Sequence, residues 1–260
     1  MTYQQITVEI RGKVAIVALN RPKKMNAWTF RIHDELVTAI EACNEDSDIG
    51  AIVLTAYGRG FCAGADFVEN IKKDAHGNKP KPQRSETWSA FIRQSKPVIA
   101  AINGVALGIG ATLTLPCDII FASDRAKIGL IFVKMGLVPE LGSSHLLVQR
   151  VGLAKASEMC LTARTYEGDE LLRMGLVDYL VGADELLDKA IELADEIAAN
   201  PAPQLRMTKE LLTINGSCTD LELVEQREGD MLKRAMGTPE HRAAVKAFLT
   251  KSNTHKKPSD

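Results

Sequence analysis

The chain has 260 residues, with 32 Lys and Arg against 33 Asp and Glu, so its formal net charge of −1 builds in no general attraction for nucleic acid. Its 45% hydrophobic and 25% charged content excludes disordered and collagen-like chains, and a chain of this size can bury about 70% of its surface on folding. The longest apolar stretch, Pro97 to Leu115, is broken by Asn103, Thr112, Thr114 and small residues, which excludes a bilayer span.

The opening MTYQQITVEIRGKVAIVAL has no basic segment followed by an apolar one, so a signal peptide is not expected and a cytoplasmic location is. ITVEI and VAIVAL, on either side of an RGK turn, predict two strands. Beyond the breaker Asn20-Arg21-Pro22, residues Phe30, Ile32, Leu36, Val37 and Ile40 recur at helical spacing up to Cys43. The strand IGAIVLTA, residues 49 to 56, then runs into a glycine corner, GRGFCAGAD. Residues 70 to 83, rich in Lys and Pro and poor in apolar side chains, read as a mobile loop or lid. A helix from Ser85 to Gln94, the strand PVIAAI and a second glycine corner, NGVALGIGATL, lead into an apolar helix. Strand, glycine corner and helix thus occur twice.

The strand DIIFAS, residues 118 to 123, precedes a further corner between Phe132 and Ser144. Helical periodicity marks Val151 to Leu161, Gly168 to Met174, Asp184 to Asn200 and Asp220 to Ala235, and the last nine residues read as a loose tail. No Pro-, Gly- or Ser-rich linker separates independent domains. The expected layout is an α/β core over residues 1 to 190 and a helical region over 191 to 260, both parts of one functional unit.

Several chemistries are disfavoured. The five cysteines are scattered without a CxxC pair and read as single thiols in a reducing compartment; no HExxH or close His/Cys group suggests a metal. Gly108 and Gly110 lack the third glycine of the dinucleotide fingerprint, and no GxxxxGK[ST] is present. Ser143, Ser144 and His145 are neighbours in sequence and point apart on a helix, which prevents a nucleophile–base hydrogen bond between adjacent members. The glycine corners remain. They serve tight turns and close packing, or they present backbone N–H groups to an anion or developing oxyanion through Phe61 to Asp66 and Ala106 to Ala111.

Taken together, these segments resemble the crotonase superfamily, the enoyl-CoA hydratase/isomerase family. The resemblance is carried by Asn20-Arg21-Pro22 through Asn26-Ala27, GRGFCAGADF from Gly58, KPVIAAINGVALGIGATL from Lys96, CDIIFAS from Cys117, GLVPELGSSHLL from Gly136 and GLVDYLV from Gly175. It covers residue 6 to about residue 250. It implies a spiral of ββα turns with two nearly perpendicular sheets and a C-terminal helical region that forms a homotrimer or a dimer of trimers. The substrate implied is an acyl-CoA thioester, with coenzyme A as part of the substrate and no other cofactor or metal. By the same resemblance the thioester oxygen lies between the amides of Ala65 and Ile109. The CoA nucleotide lies near Lys23, Lys24, Met25 and Ala27, and Ala63, Asp66 and Phe67 line the pantetheine and thioester end. Phe248 and Lys251 reach the nucleotide of a neighbouring subunit. Trp88, Phe91, Phe132 and Ile109 are candidates for the acyl-tail pocket, or are core.

Hydratases of this family use two glutamates, and at the corresponding positions stand Thr112 and Phe132. Neither is a base near neutral pH. Glu140, in Val138-Pro139-Glu140-Leu141-Gly142, either stabilises a helix start or resembles the single acid of the Δ3,Δ2-enoyl-CoA isomerases. The expected reaction is therefore a double-bond shift with Glu140 as proton shuttle and Thr112 and Phe132 at the substrate. Water addition or another lyase or hydrolase reaction is the alternative, and non-catalytic acyl-CoA binding a further one.

Overall fold

The computed structural model describes residues 2–69 and 87–254, the last four by backbone alone. The expected lid, the start of the helix at Ser85, the Lys251 side chain and residues 255–260 of the tail lie outside the described residues.

The hairpin read at the start is present: β1 (Ile6–Arg11) pairs antiparallel with β2 (Val14–Leu19). Four more strands, β3 (Ala51–Ala56), β5 (Val98–Ile102), β7 (Ile119–Ser123) and β10 (Tyr179–Val181), extend it in parallel into a sheet ordered β1-β2-β3-β5-β7-β10. Alternate residues of the central strands enter two separate cores. Ala15, Val17, Leu19, Ile52, Leu54 and Ala100 join Ile32, Leu36 and Ile40 of α1 (Phe30–Glu45), while Val14, Ile16, Val53, Ile99 and Ala101 meet another helix. Burial on both faces explains why these strands read as unbroken apolar runs.

A second sheet is built from strands too short for sequence periodicity to reveal: β4 (Gly60–Cys62), β6 (Val105–Leu107), β8 (Lys127–Gly129) and β9 (Thr165–Glu167). The first three run parallel, and β9 returns antiparallel on β8. Helix α2 is Trp88–Gln94. The apolar helix expected after the second corner is a single turn, α3 (Ile109–Thr112). Helix α4 (Ser143–Thr162) begins eight residues before the expected Val151, because Gly152, at φ 74 and ψ 162, breaks the helix inside and restarts its pattern. A short α5 (Asp169–Arg173) follows.

The helix under the second face is α6 (Leu186–Ala198), which buries Ala190, Ile191, Ala194 and Ala198. A boundary after residue 190 would cut through it; the compact units are residues 1–199 and 200–260. Within the second unit lie α7 (Ala202–Asn215), α8 (Leu221–Met236) and α9 (Pro239–Thr254), the last running three residues into the expected tail. Among the described residues no helix is long and apolar enough to cross a membrane, and none of the five cysteines is in a disulfide.

Candidate active site

The second sheet positions the two glycine corners. Cys62 of β4 lies opposite Ala106 of β6, and the chain runs three residues beyond each to reach Ala65 and Ile109. A Cβ on Gly110 would stand 2.1 Å from the Cys62 carbonyl oxygen, so only glycine allows the first turn of α3 to lie against β4. Trp28 N–H donates to the Gly64 carbonyl at 2.8 Å and the Asp66 amide returns to the Trp28 carbonyl at 2.8 Å, leaving Ala65 between them. The amides of Ala65 and Ile109 donate to no group among the described residues. Free backbone donors beside paired strands are the geometry that can hold an oxyanion. The Ile109 side chain turns into the core, 8% exposed, and leaves its N–H available. Cys62 is no competing nucleophile: burial pushes its thiol up to about 11.

Phe132 opens a short 3₁₀ turn, Phe132–Met135, and is buried in the same core, its ring 4.0 Å from where a Cβ on Gly108 would stand. Glu140 follows, half-buried. Its carbonyl accepts the Ser143 amide at 3.0 Å, Leu141 takes a left-handed φ of 55°, and the Ser89 hydroxyl of α2 donates to the Leu141 carbonyl. Of the four described non-glycine residues with positive φ, Leu141 is beside the candidate acid and Met25 and Asn26 are in the candidate nucleotide loop. Strain of this kind persists where surrounding contacts hold it. Burial pushes the Glu140 carboxyl above its ordinary value, and the Thr112 hydroxyl, donating to Oε1 at 3.1 Å, draws it part of the way back. Thr112 itself is fully buried, so in this conformation it meets Glu140 and not a substrate.

The loop from Arg21 to Ala27 is a compact turn carrying Lys23 and Lys24, both exposed in a 3₁₀ turn that begins at Pro22. Met25 is half-buried; its carbonyl accepts the Ala63 amide at 3.1 Å and its sulfur takes Arg59 Nε at 3.0 Å. Two residues that sequence reasoning left without a role hold this loop. Asn26, fully buried, donates from Nδ2 to the carbonyls of Tyr57 and Gly60 at 2.9 and 2.8 Å and accepts the Arg21 amide at 2.7 Å. Arg21 bonds the Ala27 carbonyl and bridges Asp66 at 3.1 Å and Glu69 at 2.7 Å. Their only signal was membership of the Asn20–Ala27 motif. Partial burial pushes the Asp66 carboxyl up, but the Glu69 amide and the Arg21 guanidinium outweigh it and hold it below the ordinary range. Asp66 is thus engaged with the loop, while Phe67 is 47% exposed beside it.

Trp88 and Phe91 are core residues, 4% and 6% exposed, and the Trp88 indole donates to the Leu113 carbonyl at 3.0 Å. Phe248, on α9 of the second unit, is 71% exposed. Ser143 is buried while Ser144 and His145 are exposed. Among the described residues no group of His, Cys, Asp or Glu is arranged to hold a metal ion.

Residues 9–257 match the family model described as enoyl-CoA hydratase/isomerase. The chain belongs to the enoyl-CoA hydratase/isomerase family. It is 35% identical over 253 residues to the Mycobacterium tuberculosis protein named "Probable enoyl-CoA hydratase echA8", covering 96% of this chain and 97% of that one. It is 32% identical to the short-chain-enoyl-CoA hydratase of Clostridium acetobutylicum, with the same coverage of each. The crystal structure of an enoyl-CoA hydratase from Bacillus anthracis superposes with a TM-score of 0.84 at 31% identity, covering 95% of this chain and 97% of that one. The α/β fold is that of the enoyl-CoA hydratase/isomerase family, and the family's substrates are consistent with an acyl-CoA thioester for this chain.

Proposed function

We propose that this member of the family shifts a double bond in an acyl-CoA thioester, from Δ3 to Δ2. The observation that carries the reading is Glu140, a half-buried carboxylate raised by burial, with Thr112 and Phe132 where the resemblance puts the two hydratase glutamates. In this reaction Glu140 takes a proton from C2. The C2–H electron pair enters a dienolate whose charge rests on the thioester oxygen, between the Ala65 and Ile109 amides. The same acid returns the proton at C4, the thioester carbonyl re-forms and the double bond lies at C2–C3. One carboxylate suffices, and the raised pKa brings acid and base forms closer in energy near neutral pH. The oxyanion donors supply charge stabilisation at fixed positions.

Lys23, Lys24, Met25 and Ala27 are assigned to the CoA nucleotide, Ala63, Asp66 and Phe67 to the pantetheine arm, and Phe132 to the acyl end. Phe248 and Lys251 reach a neighbouring subunit's nucleotide in a trimer or dimer of trimers. The names of the relatives favour a second reading, hydration of a 2-enoyl-CoA. A panel of cis- and trans-3-enoyl and trans-2-enoyl thioesters separates the two. The isomerase reading expects conjugated 2-enoyl-CoA from the first group and little change in the second. Rapid 3-hydroxyacyl-CoA formation from the 2-enoyl ester, without isomerisation, would overturn it.

A further inference from the structure

Thr112 is the last residue of the single turn α3, and its amide is fixed to the Gly108 carbonyl at 3.0 Å. Its side chain has no exposed surface. The hydroxyl has one proton and two acceptors in reach, Glu140 Oε1 at 3.1 Å and the Ile109 carbonyl at 3.3 Å. Among the described residues Glu140 makes no other side-chain hydrogen bond, burial and Thr112 are the influences on its titration, and no charged side chain acts on it. A carboxylate half out of water attracts a hydrogen-bond donor more strongly than a peptide carbonyl does. The proton of Thr112 therefore points at Oε1 when Glu140 is ionised.

We propose that Thr112 is a positioning residue for Glu140, holding Oε1 so that Oε2 alone exchanges the proton with the substrate. The assignment rests on the isomerase reading and deepens it. When C2 is deprotonated, the new O–H forms on Oε2, and Oε1 becomes the carbonyl oxygen of the acid and still accepts from Thr112. The carboxyl group is thus held by the same bond in both protonation states and does not turn between C2 and C4. The Ile109 carbonyl gives the hydroxyl a second acceptor, so Thr112 retains a partner if Glu140 swings away. A carboxylate from a different corner of the fold, clamped by the hydroxyl at this position, does the work that a glutamate at the position itself does in the resembled hydratases.

The test compares Thr112→Val, which keeps the shape and deletes the hydroxyl, with Thr112→Ser, which keeps it, on a 3-enoyl-CoA across pH. For Thr112→Val, kcat is expected to fall about tenfold or more while KM stays within about threefold, the pattern of an interaction needed in the transition state. The acid limb of its pH profile should move upward, because the lost bond favours the charged carboxylate. Thr112→Ser should restore both. A folded Thr112→Val with wild-type kcat and an unmoved acid limb would overturn the proposal, as would equal losses in the Val and Ser variants. Glu140→Gln, run alongside, separates the two levels. If it isomerises at the wild-type rate, the isomerase reading and the Thr112 role fail together; if it is inactive and Thr112→Val is not, the Thr112 role fails alone.

Discussion

Glu140→Gln keeps the shape of the side chain and an oxygen that can still accept from Thr112, and removes the proton acceptor. Loss of a general base lowers turnover by about 10² to 10⁴, and steady-state kinetics on a 3-enoyl-CoA is expected to show a fall of that size with substrate binding little changed. In the wild type, kcat/KM should drop on acidification through a value above the ordinary carboxylate range, since burial raises Glu140. The same shift implies that the variant should not lose stability through this group. A carboxyl whose pKa is raised on folding adds to stability only below its unfolded value and weighs against it as pH rises through the folded one, so the neutral amide carries no penalty at neutral pH. Arg21→Met makes the opposite case, because Asp66 is held below its ordinary value and its contribution is present at neutral pH. Losing hydrogen bonds to charged groups should cost about 2 kcal/mol in denaturant unfolding at neutral pH. That deficit should shrink as pH falls through the folded Asp66 value. The roles of Asn26 and Arg21 were not legible in sequence, because both act through contacts 31 to 48 residues away. Glu140 stood out in sequence through its motif, whereas its hydrogen bond to Thr112, 28 residues distant, did not.

The close approach of α3 to β4 sets the spacing of the two candidate oxyanion donors. Gly110→Ala forces a methyl against backbone, which cannot give way as a flexible side chain would. Overpacking of this kind costs about 1–3 kcal/mol or more. A lowered midpoint in chemical denaturation, with turnover reduced further than stability alone explains, is the expected outcome; an active variant of unchanged stability would show that the corner has slack. Long buried strands and α1 were readable because six-residue apolar runs and helical spacing survive in sequence. The second sheet was not, since all four of its strands hold only three residues each and two include a glycine, Gly60 and Gly129. Only their parallel pairing, invisible to periodicity, brings Ala65 and Ile109 to matching positions. The start of α4 was missed for a related reason, its period being reset at Gly152.

In the second unit, Met231 is buried, and Val224 and Ala235 are half-buried. Leu221, Leu232, Met236, Phe248 and Leu249 remain more than half exposed. Apolar side chains left in water on this scale are characteristic of association surfaces. Light scattering at micromolar concentration is expected to give the mass of a trimer or of two trimers, and Phe248→Ser to weaken both assembly and CoA-ester affinity. A monomer near 28.3 kDa with full affinity would reject the shared site.

Membership of the enoyl-CoA hydratase/isomerase family was legible from ordered motifs spread over nearly the whole chain. The reaction is set by a few side chains, and on the resemblance two of them, Thr112 and Phe132, stand where hydratases carry glutamate. The most direct measurement is product analysis by mass spectrometry in oxygen-labelled water, starting from a 3-enoyl-CoA and from a 2-enoyl-CoA, with wild type and Glu140→Gln side by side. The account predicts unlabelled 2-enoyl-CoA from the first ester, dependent on Glu140, and only slow labelling of the second. Rapid incorporation of labelled oxygen at C3 of the 2-enoyl ester, unaffected by Glu140→Gln, would contradict it.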